Sequence, residues 1–143
     1  MRRTRISGIR IGFEAFCEAN RESYVRYAET WVDDRAEALR CVQAVLDALE
    51  PRWVSVLGTQ SPAARVWEDL RTAAAHRTPD AGSPSPAEKF HAVLRNDQAD
   101  IVLLHRDLRL PLDDAAHLMG LPEPSAQALL RGAERDLGER FQA

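Results

Sequence analysis

The side chains best suited to chemistry in this chain are two cysteines, four histidines and two pairs of adjacent aspartates. Cys17 and Cys41 have no second cysteine or histidine at ligand spacing, so they indicate neither a zinc site nor a disulfide framework. We expect both to be small core residues. The histidines show no HExxH pattern and are expected at surface or interfacial positions: His76, His91, His105 and His117. The sequence predicts no metal and no cofactor.

The aspartate pairs, Asp33-Asp34 and Asp113-Asp114, have the composition of an acid pair in catalysis. Each pair stands where a helix is expected to begin, and carboxylates there are stabilised by the helix macrodipole. Stabilisation of a helix start is therefore favoured over catalysis for both pairs, and Asp33-Asp34 can also cap the second helix. The seven glycines are spread along the chain and form no phosphate-binding loop. We predict that the chain is not an enzyme and has no catalytic residue.

Composition indicates a globular chain, with 45% hydrophobic and 29% charged residues among 143. No apolar run approaches the ~18 residues of a membrane span, so no membrane partner is expected. The start has no apolar segment of an export signal, which makes the cytoplasm the expected location.

A net charge of -3 argues against tight nucleic-acid binding through charge alone. A basic N-terminal arm is open to two interpretations, a phosphate contact or a solvated tail: Arg2, Arg3, Arg5 and Arg10.

Helical periodicity dominates the first half. Apolar residues recur every three to four positions from Phe13 to Trp31, and a second stripe runs from Leu39 to Leu49 before Pro51. The segment 53–57 is β-rich but short and isolated, so we expect a buried turn or helical piece. Ser61-Pro62 is a typical helix start, and the helix it begins fades near residue 77.

A turn-rich segment, 78–84, has no large apolar residue and is predicted to be a flexible linker. Ser85 and Glu88 then match a capping box, and Asp97 is expected to cap a further helix. These signals predict an all-α fold with two small helical domains, 1–77 and 85–143, joined by the linker.

A helix-turn-helix pattern lies within 112–131. Ala116 stands where two helices must approach closely, Gly120 stands at the turn, and a second helix is expected from Pro124. The alternative is a helical hairpin with a glycine corner and no DNA role.

Five segments together resemble a bacterial RNA polymerase sigma factor of the extracytoplasmic-function class. The resemblance covers nearly everything after Gly12. Residues 13–28 look like the opening helix of sigma region 2, and 39–49, with Val42-Gln43 at its middle, looks like the helix that docks on the polymerase clamp. Residues 101–105, 112–121 and 133–137 are similar to region 4.

The resemblance implies three sets of contacts. The polymerase-binding set comprises Leu39, Arg40, Val42, Gln43 and Leu46. The set expected to capture the melted promoter strand comprises Trp67, Arg71, His76 and Arg77. The set on the recognition helix comprises Ser125, Gln127, Arg131 and Arg135. Expected partners are core RNA polymerase, promoter DNA bound weakly by the chain alone, and an anti-sigma factor or other regulatory protein.

Departures from the family pattern support an alternative. Arg40 stands where an acidic residue is usual, and Gly132 and Glu134 stand where arginines are usual. Residues 88–143 hold seven basic and ten acidic residues, so this part accounts for the whole net charge of -3 and would gain little from counterion release. The alternative is a degenerate sigma-like interaction module that regulates transcription without binding promoter DNA itself. A repressor using only the second half would leave the first half unexplained.

Overall fold

Helices make up most of the chain in this computed structural model, which describes the backbone of residues 2–80 and 82–142 and the side chains of 8–80 and 82–138. In chain order they are α1 (Arg2–Val32), α2 (Arg35–Leu49), α3 (Trp53–Leu57), α4 (Pro62–His76), α5 (Pro86–His91), α6 (Asn96–Val102), α7 (Leu112–Met119) and α8 (Glu123–Gln142). A 3-10 turn, Glu50–Arg52, precedes α3, and a π-helical turn, Leu103–Asp107, follows α6. No β-strand occurs in the described backbone, which confirms the all-α fold class.

Side-chain caps begin α2 and α4, as the sequence predicts. The Asp34 carboxylate accepts the Glu37 N–H at 3.2 Å at the start of α2. The Ser61 hydroxyl accepts the Ala64 N–H at 3.3 Å at the start of α4. The segment 53–57 is the short helix α3, which confirms the expectation of a helical piece.

The basic arm is described only in part. The side chains of Arg2, Arg3 and Arg5 lie outside the described residues, although their backbone belongs to α1. Arg10 forms an exposed ion pair with Glu14, with an N–O distance of 3.8 Å. An exposed pair one helical turn apart contributes little to stability.

The capping box at α5 is confirmed. The Ser85 hydroxyl accepts the Glu88 N–H at 3.2 Å, and the Glu88 carboxylate accepts the Ser85 N–H at 3.0 Å. The prediction that Asp97 caps the next helix is wrong. Helix α6 begins at Asn96, and Asp97 lies inside its first turn, where its carboxylate accepts the N–H of the following residue at 2.9 Å.

A left-handed glycine joins α7 to α8. Gly120 has φ 71° and ψ 32°, and α8 begins at Glu123, one residue before the predicted Pro124. A Cβ atom at Gly120 would lie 2.2 Å from the backbone nitrogen of Ala64. The Ser61 hydroxyl also donates to the Gly120 carbonyl at 3.1 Å. The turn between α7 and α8 is therefore pressed directly against the start of α4.

The hydrophobic core is continuous across residues 78–84. Helix α7 packs on α4, α5 packs on α1, and the buried residues of both halves form one cluster that includes Cys17 and Cys41. The Arg26 guanidinium adds a polar contact by donating to the Leu108 carbonyl at 2.6 Å. Burial of both cysteines confirms their expected core positions. The two-domain arrangement is not confirmed, because helices on both sides of residues 78–84 share this core.

Candidate functional site

A fully buried carboxylate lies between the two halves of the chain. Asp100, at 0% exposure on α6, accepts hydrogen bonds from Tyr27 Oη at 2.5 Å, Trp67 Nε1 at 2.9 Å and Arg71 at 2.9 Å. His91 Nε2 lies 2.9 Å from the same carboxylate. We call these five residues the Asp100 cluster. A buried carboxylate is tolerated only when charge and hydrogen bonds compensate it, and here each carboxylate oxygen has two partners.

Aromatic rings surround the carboxylate. The Tyr27 and Trp67 rings have centroids 4.3 Å apart, and the Trp31 ring lies 4.6 Å from that of His91. Trp31 Nε1 donates to the Tyr27 hydroxyl at 3.0 Å. Rings from α1 and α4 therefore form one layer, which α5 and α6 cover.

The environment of the cluster holds a proton on Tyr27. Burial raises the pKa of the Tyr27 hydroxyl well above its ordinary value, and the negative charge of Asp100 raises it further. Because the phenol stays neutral, it donates its hydrogen to Asp100 and accepts one from Trp31. All the observed contacts satisfy the carboxylate, an arrangement suited to holding helices together.

The residues predicted to capture a melted strand do not share one surface. Trp67 is 2% exposed and the Arg71 side chain is 21% exposed, because both are bound to Asp100. In this conformation the Trp67 ring cannot stack on a base. His76 is exposed and lines a cavity of about 350 Å³ together with Arg71 and Asn96. Arg77 is half-buried in an ion pair with Glu37 of α2.

The residues predicted to bind polymerase divide between two sides of α2. Val42 and Leu46 are buried in the core, so they cannot contact a partner in this structure. Leu39, at 44% exposure, lies with Arg40 and Gln43 on what we call the α2 outer face. Only this outer part of the predicted set is accessible.

A local ion pair compensates Arg40. Its guanidinium lies 2.7 Å from the Glu37 carboxylate, which also binds Arg77. Hydrogen bonds from Arg40 and then from Arg77 lower the pKa of the Glu37 carboxyl. The positive charge that departs from the family pattern therefore has an acidic partner one turn earlier on the same helix.

The recognition-helix residues share one solvent-exposed surface. Ser125, Gln127, Arg131 and Arg135 are all exposed on α8, and we call this surface the α8 outer face. Ala126 and Ala133 are buried on the opposite side of the helix. The helix thus presents Arg131 and Arg135 to solvent while Ala126 and Ala133 pack inward.

Two departures in α8 have structural causes. Gly132 is buried, and a Cβ atom there would lie 3.1 Å from Gln98 Nε2 of α6. Glu134 is bound to Arg106 at 2.8 Å. A side chain at residue 132 would therefore have to displace the Gln98 amide, and an ion pair offsets the acidic charge at residue 134.

Sequence reasoning did not single out Asp100, and it placed His91 only at a surface or interface. One signal was available in the sequence. Asp100 lies three and four residues before Leu103 and Leu104, so it belongs to the same buried side of its helix. An ionisable residue in such an apolar stripe indicates a buried carboxylate that needs partners from other elements.

The described part of the chain contains neither a candidate metal site nor a candidate membrane span. No group of three or more His, Cys, Asp or Glu side chains there could hold a metal ion. None of its helices is long and apolar enough to cross a membrane. No protein-family model matches the chain, and no match is found among curated proteins or solved structures.

Proposed function

We propose that the chain is a sigma-like transcription initiation factor that binds core RNA polymerase and directs promoter recognition. The observation that carries this proposal is the α8 outer face, which is open to solvent on a helix-turn-helix whose Gly120 adopts the left-handed conformation. Arginine, glutamine and serine are side chains that contact phosphates and base edges in the major groove. The α2 outer face is exposed on the same chain and supplies a separate surface for polymerase.

Polymerase supplies much of the affinity in this proposal. Arg131 and Arg135 are the basic groups of the α8 outer face, and the surrounding part of the chain has a net negative charge. Two arginines release few counterions, so binding of free promoter DNA is expected to be weak. Once the chain is bound to polymerase, the same contacts act at a high effective concentration near the promoter.

Binding of purified chain to core polymerase tests the first half of the proposal. Leu39→Asp places a charge on the α2 outer face and is expected to weaken polymerase capture at least tenfold, since an apolar contact is lost and a carboxylate is desolvated. Leu57→Asp is the matched control, because Leu57 is 47% exposed against 44% for Leu39. Equal capture of both variants would contradict a role for the α2 outer face.

Promoter-dependent transcription tests the second half. The chain and core polymerase are expected to give transcripts from promoters selected by sequencing of DNA bound to the complex. Replacing Arg131 and Arg135 together by alanine is expected to abolish this selection without lowering polymerase capture. Transcription unchanged by the double substitution would exclude recognition through α8.

The burial of Trp67 and Arg71 favours a second candidate function. With these side chains bound to Asp100, the chain in this conformation lacks the strand-capture surface, as expected of a sigma-like interaction module that regulates transcription through protein contacts. This candidate predicts polymerase or regulator binding with no promoter-dependent transcript. It also predicts that the double α8 substitution has no effect on regulation.

A further inference from the structure

The Asp100 cluster joins helices from both sides of residues 78–84. Its donors Tyr27, Trp67 and Arg71 belong to α1 and α4, whereas the carboxylate belongs to α6. His91 of α5 completes the cluster from the same side as Asp100. The cluster is therefore a polar contact between two halves of the molecule, placed inside their shared interface.

The surface that α5 and α6 cover has the chemistry of a site for single-stranded nucleic acid. Tyr27, Trp31 and Trp67 form a layer of rings, with Arg71 beside them and His76 at the edge of the adjoining cavity. Each ring of the layer also touches the covering half, two through Asp100 and Trp31 through His91. Aromatic rings beside cationic side chains are the means by which proteins bind single strands.

We propose that Asp100 is an internal substitute for a phosphate group and closes a site for single-stranded DNA. A carboxylate and a phosphodiester are both anions that accept hydrogen bonds from arginine, indole N–H and phenol groups. In the closed form Asp100 accepts hydrogen bonds from Tyr27 of α1 and from Trp67 and Arg71 of α4, the donors that a backbone phosphate would use in its place. When α5 and α6 move away together with α7 and α8, those donors and the rings become available together. This inference rests on the proposed function, in which the ligand is the melted promoter strand.

The connection between the halves permits such a movement. Residues 78–84 carry no large apolar side chain, and seven residues can span about 23–25 Å when extended. Among the described residues the interface also holds the apolar contacts of α7 with α4 and of α5 with α1, which opening would expose. Two further hydrogen bonds cross it, from Arg26 to the Leu108 carbonyl and from Ser61 to the Gly120 carbonyl. Interfaces within a chain that separate are more polar than a permanent core, and this one contains a buried ionic cluster.

Fluorescence anisotropy with a labelled oligothymidine, without polymerase, tests the proposal on the full chain. Asp100→Asn removes the competing anion and is expected to tighten the apparent Kd by about tenfold or more, since affinity scales with the fraction of open molecules. Asp107→Asn is the matched control, because it changes net charge equally at an exposed residue of the same half. Adding Arg71→Gln to Asp100→Asn is expected to remove the gain. Folded Asp100→Asn protein with wild-type affinity would overturn the proposal.

Hydrogen exchange on the wild-type chain keeps the test decisive if Asp100→Asn does not fold. Saturating oligothymidine is expected to speed exchange of the amides at 96–104, because binding holds α6 away from α4. Unchanged or slower exchange there at saturation would overturn the proposal that Asp100 closes the site, which we call the Asp100 latch. Oligouridine in a parallel titration shows whether the opened site also takes RNA, and tighter binding of RNA than DNA would contradict a promoter-strand role.

These outcomes separate the latch from the proposed function. Polymerase capture depends on the α2 outer face, so Asp100→Asn is expected to retain it. Failure of polymerase capture with a tenfold gain for oligothymidine would refute the sigma-like function and leave the latch standing. Polymerase capture and promoter-dependent transcription without that gain would refute the latch alone.

Discussion

Helices α4 and α8 are the two segments in which the sequence predicts DNA contacts, and the structure places them in opposite environments. Trp67 and Arg71 of α4 face inward and bind Asp100. The α8 outer face carries Arg131 and Arg135 on the solvent side of the molecule. Hydrogen-bond donors are thus bound to an internal acceptor on α4 and exposed to solvent on α8.

The difference shows what residue type can and cannot indicate. An arginine or an indole N–H requires an anionic or polar acceptor, and either a phosphate or a carboxylate of the same chain can supply it. On α4 the acceptor is Asp100, brought from the other half. The ion pairs among the described residues do not include Arg131 or Arg135 of α8. Donor chemistry therefore identifies a surface that needs an anion, and packing decides which anion it meets.

The largest expected effect is on the free energy of unfolding, and it differs between α4 and α8. Trp67→Ala removes a buried ring and one donor to Asp100, so the free energy of unfolding is expected to fall by about 3–5 kcal/mol. Arg131→Ala changes an exposed side chain and is expected to shift it by less than about 0.5 kcal/mol. Urea unfolding followed by circular dichroism measures both. Equal losses from the two variants would contradict their assignment to interior and surface.

The next effect concerns the contact between the turn of α7 and α8 and the start of α4. Gly120→Ala forces a side chain into a left-handed conformation and within 2.2 Å of the Ala64 backbone nitrogen, so we expect a loss of about 2–4 kcal/mol. Gly82→Ala is the control, because Gly82 also has positive φ, 104°, but no atom lies within 4 Å of its added Cβ. Thermal unfolding of both variants isolates the crowding from the backbone strain. Equal losses would mean that the turn is not pressed against α4.

The smallest expected effect tests whether the Asp100 cluster stays closed. Tyr24 and Tyr27 are the two tyrosines of the chain, and burial raises the pKa of both. Their folded forms retain protons that the unfolded chain loses near pH 10, so this stability is complete below pH 10 and is lost as pH rises further. The expected slope is about 1.4 kcal/mol per pH unit for each tyrosine.

Absorbance at 295 nm measures this titration directly. The folded chain is expected to show almost no tyrosinate at pH 11, and Tyr24→Phe restricts the signal to Tyr27 of the cluster. Both cysteine thiols, whose pKa burial also raises, add a decline in stability that begins at lower pH and has the same sign. Tyrosinate appearing near pH 10 in the folded Tyr24→Phe variant would show that the cluster is open to solvent.

The sequence predicts local structure correctly where a side chain binds the backbone of a residue a few positions away. Asp34, Ser61 and the pair Ser85 and Glu88 cap helices as expected, because a cap involves residues only a few positions apart. Asp97 shows the limit, since several polar residues near a helix start compete for the same N–H groups. Helical periodicity predicts which residues of α2 and α8 lie on the outer side. It also places Trp67 on the inner side of α4, but it does not indicate which residue Trp67 binds there.

The sequence by itself determined the all-α class, the starts of α2, α4 and α5, the turn at Gly120 and the exposed side of α8. These depend on periodicity and on contacts between near neighbours, which are written in consecutive residues. Only the tertiary structure decided that Asp100 meets Tyr27, Trp67 and Arg71 across residues 78–84. Asp100 lies 73 residues after Tyr27, and nothing in the sequence indicates that the two side chains meet. The contact forms because a buried carboxylate requires donors, and the packing of α5 on α1 and of α7 on α4 brings α6 close enough for Asp100 to meet them.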